Sequence, residues 1–150
     1  ANYASAEKFY EKALQIREEV KDPDLVISYI GMGKLNLYKG NFDIAEEFYG
    51  KALRIREEVL DPKHPDLATS YSDMGIVYLN KREYARAEEF CTKAKQIHVE
   101  VLDSKHLDLA TSYQNLGNVW NQKNDYARAE KYFMKAKEIR EEVLDSHSLC

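Results

Sequence analysis

At 150 residues, with a net charge of −4 and two cysteines, the chain leaves little room for several function classes. Its Lys and Arg are scattered instead of gathered on one face, so it lacks the basic surface that displaces counterions from nucleic acid. No apolar run approaches the roughly 20 residues of a membrane span, and two thiols are too few for a disulfide framework, which predicts reduced cysteines in a cytoplasmic protein.

Residues 1–22 open directly in polar sequence, without a signal peptide in the stretch given. Ala6, Phe9, Ala13, Ile16 and Val20 recur at spacings of three and four, the stripe of an amphipathic helix. The same stripe returns as Ala45, Phe48, Ala52, Ile55 and Val59. There a helical partner precedes it; residues 1–22 have none, so they read as the second helix of a partial repeat in a longer array. The join that follows, Val20-Lys21-Asp22-Pro23, is three residues shorter than Val59 to Pro65 or Val101 to Leu107. It predicts a tight turn with Asp22 as N-cap and Pro23 at the first helical position, where its missing N–H costs nothing.

Three full units follow, 23–64, 65–106 and 107–148. Gly33, Gly75 and Gly117 lie 42 residues apart, as do Ala45, Ala87 and Ala129, and Ala52, Ala94 and Ala136. In each unit a first helix is expected from about Asp24, Asp66 or Asp108 to about Lys39, Lys81 or Lys123. A break follows at Gly40-Asn41, Arg82-Glu83 or Asn124-Asp125, with Asn41 and Asp125 good caps and Glu83 a poor one. A second helix then runs to about Val59, Val101 or Val143. Within the pair, Gly75 and Ala87 permit close backbone approach, while Tyr71, Met74, Tyr78, Tyr84, Cys91, Ala94 and Ile97 fill the space around them. Cys91 stands where the sister units have Tyr49 and Phe133, so it reads as a core residue; Cys150 is terminal. Asn36 stands where they have Tyr78 and Trp120, which predicts a weaker or rearranged core in the first full unit.

A fixed period of this length is the mark of a solenoid, because each helix pair buries its apolar face only against its neighbours. The expected fold is all-α, a single right-handed α-solenoid of antiparallel helix pairs with about seven helices. The residues Tyr71-Met74-Gly75-Tyr78 and Tyr113-Leu116-Gly117-Trp120 in the first helices resemble the tetratricopeptide repeat, as do Ala87-Cys91-Ala94 and Ala129-Phe133-Ala136 in the second. The length, the His-Pro-Asp-Leu-Ala start and the Ile-Arg-Glu-Glu-Val-Leu end are similar to the longer repeats of kinesin light chains and nephrocystin-3-like proteins. Leu107 replaces the Pro at the start of the third unit. The resemblance implies that the first helices line a concave surface and that the chain is a scaffold for protein interactions, not an enzyme.

On those first helices, the stripe opposite the packing face reads Ile27, Gly31, Lys34 and Tyr38, then Thr69, Asp73, Ile76 and Asn80, then Thr111, Asn115, Asn118 and Gln122. Ile30, Leu37, Ser72, Leu79, Gln114 and Asn121 flank it. Packing positions recur from unit to unit, whereas this stripe changes in every one. A solvated face under no packing constraint would do the same, and the corresponding function is a structural or self-associating spacer, or a regulatory array within a larger protein. The content favours a groove for peptide or protein segments. Ile27, Ile30, Leu37, Tyr38, Ile76 and Leu79 predict an apolar patch, the kind of surface that marks partner sites. Asn80, Gln114, Asn115, Asn118, Asn121 and Gln122 offer donors and acceptors to the backbone of an extended peptide.

Other chemistries find little support. The resemblance includes clamps that grip the C-terminal carboxylate of heat-shock chaperones with Lys, Arg and Asn. Here Lys34 is the one cation of the stripe, and Ile30, Asp73 and Thr111 occupy other clamp positions. Kinesin light chains take acidic peptides, a preference for which Lys34 alone gives thin support. His64 and His106 recur in the loops, too far apart in sequence to supply the three or four converging ligands of a metal site. The Glu pairs 18/19, 57/58 and 141/142 point about 100° apart around a helix, beside Arg17, Arg56 and Arg140, and read as solvated faces. No phosphate loop or nucleophile–base arrangement appears, so neither cofactor nor catalysis is expected. Ile139, Val143 and Leu144 have no following helix to cover them, which predicts end-to-end self-association.

Overall fold

Helices form where the apolar spacing predicts them. The protein, a computed structural model, is described at residues 3–20 and 24–148, with the side chains of residues 15–20 left out of the description. The expected Asp22 cap, Pro23 and Cys150 lie outside the described residues. Among these there are seven α-helices and no strand. They divide into two compact units, residues 1–60 and 61–150.

In the first unit, α1 (Tyr3–Val20) packs on α2 (Leu25–Lys39), and α2 pairs with α3 (Phe42–Val59). Leu14, Tyr29 and Ala52 form a buried cluster, with Leu25, Val26, Ile30, Phe48 and Ile55 packed around it. Ala45 and Ala52 are fully buried, as small residues must be where two helix backbones approach closely. A Cβ on Gly33 would lie within 3.0 Å of the Tyr49 ring. Only a glycine leaves that ring its place.

In the second unit, α4 (Pro65–Asn80) pairs with α5 (Tyr84–Val101) and α6 (Leu107–Gln122) with α7 (Tyr126–Ser148); α6 also packs on α5 and on α4. The seam repeats with different fillings. Gly75 is closed by the Cys91 Sγ and Gly117 by the Phe133 ring, each where a Cβ would intrude. Cys91 is thus the core residue its position predicts, and burial pushes its thiol up to about 12. The second core, Leu109, Ala110, Ala136 and Ile139, is flanked by Tyr113 and Val143.

The turns follow a rule the sequence only half displays. After α2, α4 and α6 the backbone turns left-handed at Gly40, Arg82 and Asn124, with φ of 79°, 62° and 65°. Glycine adopts this freely, asparagine readily and arginine at a cost. Asn41, expected as a cap, makes no side-chain capping bond, and neither does Glu83. Asp125 does, its Oδ1 accepting the Arg128 N–H at 3.1 Å. The caps of α4 and α6 are histidines: His64 and His106 Nδ1 accept the backbone N–H of Asp66 and Asp108 at 3.0 Å. Those loop histidines close helix ends.

Beside the glycines of the seam, aromatic rings and cations stack. Tyr78 lies parallel to Phe90 at 5.5 Å, with the Arg86 guanidinium 5.4 Å from the Tyr78 ring. Trp120 has Lys123 and Arg128 each 4.4 Å from its ring. Asn36, at the same register, makes no such rung. It is fully buried, and its Nδ2 donates to the Met32 carbonyl at 2.9 Å. The core of the first unit is rearranged around a satisfied amide.

Candidate protein-binding face

The stripe expected to stay free of packing is largely outside the core, with two exceptions. In the first unit Ile27 and Tyr38 are 65% and 78% exposed and Lys34 is exposed, while Leu37 is half-buried. Ile30 does not belong with them. It packs against the Leu14–Tyr29–Ala52 cluster, because its position turns it toward α1 and α3. In the second unit Thr69, Asn80, Thr111, Asn121 and Gln122 are exposed, and Ser72, Asp73, Ile76, Leu79, Gln114 and Asn118 are half-buried. Asn115 is the second exception. It is 9% exposed, and its Nδ2 is buried with no hydrogen-bond partner among the described residues.

The expected apolar patch is therefore thinner than its composition implies. Of its six members only Ile27 and Tyr38 are open to solvent, and the rest lean partly into the helix seams.

Since α4 and α6 pack directly on one another, their stripes lie on neighbouring helices. The polar groups there are partly tied down. Asn80 Nδ2 donates to the Ile76 carbonyl at 2.8 Å, and the Thr69 and Thr111 hydroxyls donate back to Pro65 and Leu107. Arg140 Nη1 donates to Gln114 Oε1 at 3.2 Å, and Gln114 Nε2 reaches Asn118 Oδ1 at 3.5 Å. An amide has two N–H donors and an acceptor oxygen, so these bonds leave capacity for a further ligand. Arg140 enters this network from α7, a residue that spacing along the first helices had no means of finding.

Two hollows of the second unit lie away from this stripe. One of about 320 Å³ is lined by Pro62, Lys63, Tyr71, Lys93, Gln96, Ile97 and Glu100. Its counterpart of about 290 Å³ lies one repeat on, with Ser104, Tyr113, Lys135 and Glu142. They share a register, so they are a product of the repeat, and both are shallow.

His98 and Ser112 meet across α5 and α6, with Nδ1 and Oγ 2.6 Å apart. The pair has the separation of a base and a nucleophile, yet the two residues are 4% and 1% exposed, which leaves a substrate no approach. Among the described residues no three His, Cys, Asp or Glu side chains come together as metal ligands. No described helix is long and apolar enough to cross a membrane.

Comparison with known proteins agrees with the helix-pair geometry. BtubC (BKLC) from P. vanneervenii superposes with a TM-score of 0.85 at 24% identity, over 94% of this chain and 57% of that one. A set of nearly identical TPR-like repeats assigned to a Podosopora anserina kinesin light chain gives 0.78 at 17% identity, over 94% and 68%. The apo form of RapI gives 0.82 at 23% identity, over 95% and 51%. At these identities the likeness is one of fold, and the chain spans little more than half of the BtubC chain. No curated protein sequence matches it. The tetratricopeptide repeat family model matches residues 1–58, 24–88 and 66–142, together most of the chain. The chain belongs to the tetratricopeptide repeat family.

Proposed function

We propose that this chain is a non-catalytic scaffold that takes peptide or protein segments on the exposed stripe of its first helices, on α2 in the first unit and on α4 and α6 in the second. One observation carries the reading. The small seam residues, Gly33, Gly75 and Gly117 with Ala45, Ala87 and Ala129, repeat from pair to pair, while the solvent-facing residues of the first helices change chemistry: Ile27 and Tyr38 in one, Thr69 and Asn80 in another, Thr111 and Gln122 in the third. In the first unit Ile27 and Tyr38 supply apolar contact for a ligand's side chains; in the second Ile76 and Leu79 do so, and Asn80, Asn118 and Gln122 supply amides for its backbone. Asn115 and Ile30 are withdrawn from the ligand contacts, since both sit in packed surroundings.

A peptide-array titration tests this. Leu79→Asp combined with Asn118→Ala is expected to weaken any peptide the chain selects at least tenfold while the circular dichroism stays that of the folded chain. Unchanged affinity refutes the assignment. A spacer that self-associates is the second reading, favoured by Met134 and Leu144 of α7, 53% and 68% exposed. Light scattering separates the two, since a strict monomer at high concentration removes the spacer reading. The buried, unreactive Cys91 thiol suits a cytoplasmic setting.

A further inference from the structure

The repeats carry Arg17, Arg56 and Arg140 at one register, and the second repeat puts His98 there instead. Arg140 stays exposed and reaches Gln114, whereas His98 is buried in the seam between α5 and α6. An arginine is charged at every accessible pH, while a histidine changes charge near neutrality. We propose that His98 and Ser112 form a proton-sensitive contact that holds the α6–α7 hairpin against α5, and that acid loosens it.

The geometry supplies the mechanism. In the neutral ring one nitrogen pairs with Ser112 Oγ at 2.6 Å, and Nε2 is buried with no hydrogen-bond partner among the described residues. Adding a proton makes both nitrogens donors and brings a charge into the seam. Whichever nitrogen carries the hydrogen in the neutral ring, the charged ring has an Nε2–H that faces no acceptor among the described residues, a Ser112 Oγ that can only accept from Nδ1, and a charge taken out of water.

On the elements packed against α5, the charged residues are Asp66 and Asp73 of α4, Asp108 of α6, and Asp103, Lys105 and His106 of the turn between α5 and α6; Lys95 and Glu100 flank His98 in sequence on α5 itself. Burial is the largest influence and lowers the His98 pKa from its ordinary value; Asp108 opposes it and His106 adds to it. The packed state thus binds the proton less readily than the opened one. The contact is at full strength above the ordinary histidine value of about 6.5, and it weakens as the pH falls below it. Each further pH unit raises the opening equilibrium by up to tenfold, until the packed ring itself takes the proton.

Native-state hydrogen exchange on the whole chain tests this, in a His64→Asn, His106→Asn background that keeps both helix caps but removes their titration. Between pH 7.5 and 5.5, after correction for intrinsic exchange rates, protection of the α6 amides should fall by up to about tenfold. In the same background with His98→Gln it should stay constant. Equal loss in both overturns the proposal, as does no loss in either. If His98→Gln does not fold, NMR titration of the unmodified chain decides. A His98 midpoint below that of exposed His147 supports the contact, and one at or above it overturns it.

Discussion

One register of the first helices carries Asn36 in the first unit and Tyr78 and Trp120 in the second, and each is accommodated by different physics. Tyr78 stacks on Phe90 and Trp120 lies beside two cations, so both rungs are held by apolar area and ring electrostatics. Asn36 buries an amide instead and satisfies it on the carbonyl one turn back in its own helix. The helix pair tolerates both. What it does not vary is the close approach next to the rung, where Gly33, Gly75 and Gly117 face Tyr49, Cys91 and Phe133. The architecture is set by the small residues, and the large ones adapt around them.

That contrast can be broken most sharply at Tyr78. Tyr78→Asn, which copies the first unit into the second, should cost about 3–5 kcal/mol, because it removes a buried ring without providing the surroundings that suit an amide. Urea unfolding measures it, and a loss under about 1 kcal/mol would mean that the rung is interchangeable. A smaller effect of opposite sign is expected at the left-handed turns. Arg82→Gly should stabilise by about 1 kcal/mol, since Gly40 holds the equivalent conformation without strain. The smallest effect is expected at Asn36. Asn36→Leu should change stability by under about 1 kcal/mol, because the Met32 carbonyl keeps its helical hydrogen bond when the amide leaves. A large loss there would make the amide a structural requirement, contrary to the comparison.

The period and the helix bounds were legible because glycine and alanine recur wherever two backbones must touch, and no other residue type meets that demand. The expected start at Asp24 and end at Val59 differ from the observed helices by a residue at most. The last helix was not so legible. Val101-Leu102 ends α5, whereas Val143-Leu144 continues as helix to Ser148. In α5 the exit is fixed by a turn, with Asp103 Oδ1 accepting the Lys105 N–H and His106 capping α6. Val143-Leu144-Asp145-Ser146 repeats Val101-Leu102-Asp103-Ser104, but His147 and Ser148 stand in place of Lys105 and His106, so the histidine cap that fixes the α5 exit is not repeated.

The binding face was legible only in outline. Spacing identifies which side of a helix is not the seam, but it cannot tell how far a neighbouring helix reaches around. That is why Ile30 and Asn115 turned out packed. The histidine caps and the His98–Ser112 contact had no signal in spacing at all, since each depends on a tautomer or on a partner from another helix.

The seam fixes stability and the face does not. The most direct test compares the thermal unfolding of Ala87→Leu with that of the triple variant Thr69→Ala, Asn80→Ala, Asn118→Ala. Ala87→Leu overfills a fully buried site and should cost about 1–3 kcal/mol, a drop of roughly 4–10 °C. The triple variant should stay within about 3 °C of the parent. If the triple variant loses as much as Ala87→Leu, the face is part of the fold, and the separation of seam from binding surface is wrong.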